Sequence, residues 1–82
     1  SPEEALKITT RLCRETENKS PLYLDTHSIA LAGAGKFEEA IAAASKAIAL
    51  IPADNTPAIE GIRRRLALYA TKMPYREAAW AK

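Results

Sequence analysis

Residues 33–52 read GAGKFEEAIAAASKAIALIP, and their pattern decides the fold. Phe37, Ala40, Ile41, Ala44, Ala47, Ile48 and Ile51 recur at steps of three and four. That spacing lines one face of an α-helix. Gly33 and Gly35 stand ahead of the stripe and Pro52 stops it, because proline lacks the N–H that a helix interior needs. Most of the face is alanine, which has the highest helix propensity. Alanine also lets helix axes approach closely.

Outward from this segment, one start signal occurs three times, as Ser1-Pro2, Ser20-Pro21 and Thr56-Pro57. A hydroxyl side chain accepts from the free N–H groups of a first turn, and the proline behind it has no N–H to leave unpaired. Ser1 and Glu4 also have capping-box spacing. These signals predict four helices, with breaks near residues 17–20, 33–36 and 52–56. The first carries Ala5, Ile8, Leu12 and Cys13 as its apolar stripe, and the second presents Leu24, His27, Ser28 and Leu31. The fourth lines its inner face with Ile59, Ile62, Leu66, Tyr69 and Met73, and Pro74 blocks its extension. No stretch alternates as a strand does, and short connections favour antiparallel neighbours. The expected fold is all-α, an antiparallel helix-turn-helix arrangement with a C-terminal tail over residues 74–82.

Eighty-two residues suffice for one small domain, too thin to surround a deep catalytic cavity. Aromatics make up 6% of the chain, against 48% apolar residues, which suits alanine-rich helix pairs. The net charge of +2 neither demands nor excludes an anionic partner. A single cysteine rules out an internal disulfide. No apolar run approaches the ~20 residues that span a bilayer, and none of these 82 residues reads as a secretory signal, which leaves a cleaved one open.

With Phe37 after the turn, Ala40 and Ala47 as small crossing residues, Pro52 as terminator and Ser28 in the small slot of the preceding helix, residues 21–54 resemble a tetratricopeptide repeat. That repeat is a helix-turn-helix of about 34 residues. Thirty-four residues before Ala47 lies Cys13, also small and apolar. Residues 1–17 thus correspond to the second helix of a partial repeat. Residues 56–73 correspond to the closing helix. The segments YLDT, GKFEEAI and RLALYATKMPYRE are similar to the last repeat and closing helix of bacterial repeat proteins. Leu24, His27, Leu31 and Ala44 depart from the family's usual larger or aromatic slots, and one complete repeat is fewer than the three or so a stable array needs.

The resemblance implies protein–protein interaction rather than catalysis, in a larger protein or as an accessory subunit, with the compartment open between bacterial cytoplasm and periplasm. The alternatives are a nucleic-acid-associated helical domain using the basic closing helix, or an accessory domain of a membrane-bound or haem enzyme. First helices of stacked repeats line a concave groove. The groove residues expected here are Leu22, Asp25, Thr26, Ile29 and Ala32. Chaperone-binding relatives grip a terminal carboxylate with lysines and asparagines, for which Asp25 and Ile29 are unsuited. Ser28, Ala40, Ala47 and Pro52 are the expected packing residues.

No catalytic, cofactor or metal residues are assigned. His27 and Cys13 are the only soft ligands, and a zinc site wants about four. They read as a packed core histidine, held neutral, and an inert buried thiol. Gly33 and Gly35 lack the spacing of a phosphate loop. Arg63, Arg64 and Arg65 spread over about 200–300° of a helix, so nucleic acid is not an expected partner. Arg63 and Arg64 read as solvated, with Glu60 and Arg64 as an i,i+4 pair. Tyr75 and Trp80 are expected to dock the tail onto the last helices. The first helix carries more apolar surface than helices two and three can cover. Its open side therefore predicts contact with upstream repeats, another subunit or a second copy.

Overall fold

The structure, a computed structural model, describes residues 1–73. The expectations for Pro74, Tyr75, Trp80 and the tail lie outside those residues. Four helices follow in order, α1 (Pro2–Glu15), α2 (Pro21–Gly33), α3 (Phe37–Leu50) and α4 (Thr56–Ala70), and no strand occurs among the described residues. Each helix packs against the next, and the breaks fall where the turn signals place them.

The start signals work unevenly. Ser20 caps α2, its Oγ accepting from the Tyr23 amide at 3.3 Å. Ser1 caps α1 in position only: its hydroxyl donates to the Glu3 carboxylate at 3.2 Å, so the expected box with Glu4 does not form. Thr56 is already helical and Asn55 holds the cap position, because Pro57 is accepted one place further into the first turn.

The ends share one solution. In α1, α2 and α4 a left-handed residue follows the last turn: Glu17 at φ 56°, Gly35 at φ 81° and Lys72 at φ 60°. The next amide then reaches back to the last turn, Asn18 to Cys13 at 2.8 Å, Lys36 to Leu31 at 2.8 Å and Met73 to Leu68 at 2.9 Å. These six-to-one bonds satisfy carbonyls that a helix end leaves open. Only α2 uses glycine there; Glu17 and Lys72 carry the steric cost of a Cβ in left-handed backbone. The third helix ends differently, with Ile51 extended at ψ 135° ahead of Pro52, as the residue before a proline prefers. Pro52 is a terminator only, since it is exposed and does not join the core.

The core lies between α2 and α3. Ser28, Ala40, Ala44 and Ala47 are all at 0% exposure. Leu24, Leu31, Ala32, Ile62 and Tyr69 complete it, with Phe37, Ile41, Ile48 and Leu66 packed around. Ile62 and Tyr69 bring α4 over α3 as expected, but Met73 is exposed. The first helix differs most. Its buried side is Leu6, Thr9 and Cys13, while Ala5 and Ile8 face outward and Leu12 is half-buried. Thr9 can enter the core because its hydroxyl is satisfied at both Leu6 O, at 3.2 Å, and His27 Nδ1, at 2.9 Å.

Leucine at Ala40 or Ala47 should cost about 1–3 kcal/mol, since added methylenes at a closed crossing have no space. Arg64→Ala, on the exposed side of α4, should stay within about 0.5 kcal/mol. Denaturant melts of the three variants decide this, and equal losses would mean the helix faces are misassigned.

Candidate interaction groove

Of the five expected groove residues, two line an open groove between the N-terminal halves of α2 and α4. Its walls are Pro21, Leu22 and Asp25 on one side, Pro57, Ala58, Gly61, Ile62 and Arg65 on the other, and Ile51 at the base. It encloses about 370 Å³. Leu22 is 69% exposed at its lip, a large apolar side chain with little cover. Thr26 and Ile29 are not among the lining residues. The Thr26 hydroxyl instead donates back to the Leu22 carbonyl at 3.0 Å. Ala32 is not a groove residue at all: it is 1% exposed, inside the core, one position round the helix from the open side.

Asp25 is not a free acid waiting for a ligand. Its carboxylate takes both edges of the Arg65 guanidinium, with Nε at 3.0 Å from Oδ1 and a terminal nitrogen on Oδ2. The two side chains are only 18% and 19% exposed. A bidentate pair of this kind fixes geometry as well as adding energy. It ties α2 to α4 and closes the groove at its inner end. A turn further along, Ser28 Oγ lies 3.5 Å from the Tyr69 hydroxyl, inside the core. The arginine run is thereby divided: Arg65 turns inward, and Arg63, not Arg64, pairs with Glu60, at 3.7 Å and in solvent. The expected i,i+4 pair gives way to an i,i+3 pair, a neighbour position just as close on a helix surface.

A second, shallower hollow lies on another side, bounded by Asn18, Leu24, His27, Leu31, Glu39, Ala42, Ala43 and Lys46. His27 is half-buried there rather than enclosed. Desolvation lowers its pKa below the usual histidine value, opposed by the nearby Glu39 carboxylate. The Thr9 hydroxyl has one proton, and Leu6 O can only accept it. With that proton given to Leu6, Nδ1–H is the donor to Thr9 Oγ1. Cys13 is buried and its thiol faces the Tyr23 carbonyl at 3.5 Å. Burial raises its pKa, which lowers the reactive thiolate fraction. Among the described residues no three His, Cys, Asp or Glu side chains gather as a metal site. No helix among them is long and apolar enough to cross a membrane.

Arg65→Ala should cost about 1–3 kcal/mol, because it strands a mostly buried carboxylate. That is well above the loss at Arg64, and chemical denaturation checks the ranking. The lowered pKa of His27 makes the unfolded chain bind more protons. The stability from this source is present above the unfolded pKa of about 6.5 and is lost as pH falls through the folded value. An NMR titration should place the His27 midpoint below that reference, and His27→Gln should flatten the acid limb of stability; a raised midpoint contradicts both.

No protein-family model, curated protein or solved structure matches the chain, so its function is argued from this geometry.

Proposed function

We propose that the chain is a protein–protein interaction module of the tetratricopeptide type, taking a polypeptide segment into the groove between α2 and α4. Supporting this reading are the helix order, the small residues Ser28, Ala40 and Ala47 at full burial, and the groove lying between the helices that would be first helices of successive repeats.

The observation that carries the proposal is Gly61. It sits inside α4, where glycine costs roughly 1 kcal/mol relative to alanine. Among the described residues nothing requires the missing side chain: a Cβ built there meets only the Arg65 guanidinium, at 3.9 Å and 4.0 Å. Stability is forgone at a position of α4 that lines the groove wall beside Ala58. A close backbone approach by a partner accounts for it. Leu22 and Ile62 supply apolar contact, and the neutralised Asp25–Arg65 pair offers no isolated charge. The partner segment is therefore mainly apolar, and neither a terminal carboxylate nor a phosphate chain is the best fit.

Panning a displayed peptide library on the intact chain tests this. Selected peptides should be apolar and should shift the amide resonances of Leu22, Ala58 and Gly61. Gly61→Leu should block them, while raising helix stability by up to about 1 kcal/mol. Binding mapped to other helices, or salt-dependent binding of generic DNA or RNA with no peptide selected, overturns the proposal.

A further inference from the structure

We infer that α1 carries a self-complementary interface and that two copies of this chain associate through antiparallel contact of their α1 helices. This goes beyond the groove reading and uses a different helix, so either can fail alone.

Ala5, Ile8 and Leu12 form one row at i, i+3 and i+7, set off from the Leu6, Thr9 and Cys13 row that enters the core. Ile8 is 52% exposed and Ala5 is exposed beside it. No other described helix covers the row. The charges flanking it select the occupant. At ~100° per residue, Glu4, Arg11 and Glu15 lie along one edge of the row, and all three are exposed. None of the three forms an ion pair among the described residues.

In a two-fold antiparallel pair centred on Ile8, like edges face each other. Glu4 lies about 6 Å to one side of the centre and Arg11 about 4.5 Å to the other, at ~1.5 Å rise per residue. Each Glu4 therefore comes opposite the Arg11 of the second copy, and the pairing occurs twice. Glu15 comes opposite the start of the other α1, the positive end of its helix dipole. A parallel two-fold pair instead turns this charged edge toward the opposite, Thr9-side edge of the second copy, and the Glu4–Arg11 pairing is lost. The row is thus complementary to itself in one orientation. Lys7 lies further round, away from the contact. A single helix face buries less than the ~800 Å² per partner of a standard interface, so the dimer is weak and salt-sensitive.

Sedimentation equilibrium of the intact chain, loaded up to about 1 mM to reach a weak interface, tests the inference. A monomer–dimer equilibrium is expected, weakening as salt is added. Glu4→Arg and Arg11→Glu should each weaken dimerisation by about tenfold, and the double reversal should return it to within about threefold of the original. Far-UV circular dichroism checks that each variant stays helical; both sites are exposed. Ile8→Ser should weaken the dimer without charge rescue. A monomer throughout the concentration range overturns the inference, as when the row is covered by a preceding helix or a different protein. So does a dimer whose reversals are simply additive, with no rescue.

Discussion

Everything in this structure depends on how closely α2 and α3 can approach. Ser28 from one helix and Ala40, Ala44 and Ala47 from the other are wholly excluded from solvent. A crossing built from such residues buries little apolar area per side chain, and its gain comes from dense contact between backbones. It also leaves no slack. The bulk that a core still needs is supplied from outside the crossing, by Leu24 and Leu31 along α2 and by Ile62 and Tyr69 from α4. The fourth helix therefore contributes to the core and does more than cover it. The polar atoms this thin core must hide find partners: Ser28 donates to the Asp25 carbonyl at 2.6 Å, and Thr9 to Leu6.

The helix count, the breaks and the central crossing were legible in the chain because each had two concordant signals. At α3, a stripe of period three to four coincides with glycine before and proline after. The inner face of α1 was legible only at Cys13, for a physical reason. Two rows compete there, Ala5-Ile8-Leu12 and Leu6-Thr9-Cys13. Hydrophobicity favours the first. The second wins because Thr9 meets His27 across the α1–α2 contact, a tertiary hydrogen bond that no local pattern encodes. Ala32 shows the limit of reading faces by spacing: alanine suits groove and core equally.

The groove was half legible. Leu22 and Asp25 were placed on it from the expected role of α2, and both line it. Its opposite wall, Pro57, Ala58, Gly61 and Arg65, went unassigned, because α4 read as a cover rather than a lining element. The signal was present in Gly61, a helix breaker lodged between two strong starts and stops. Arg65 could not be separated from Arg63 and Arg64 by composition. Only the position of Asp25, forty residues away, distinguishes it.

The shape of the groove follows from where the ties between α2 and α4 lie. Asp25 to Arg65 and Ser28 to Tyr69 are successive contacts, both in the second half of α4. They fix the orientation of α4 by directional bonds, which hold geometry more strictly than apolar contact does. Before Arg65 no such tie exists among the described residues, and the sequence there turns to small side chains, Ala58 and Gly61. The helices stay apart where the polar contacts stop, since Ala58 and Gly61 have no atoms to reach Leu22. One ion pair thus acts as both fastening and boundary: it holds α4 onto α2 on its inner side and leaves apolar space on its outer side. The polar contact and the missing side chain are two halves of one arrangement, and neither alone would leave a groove open in so thin a core.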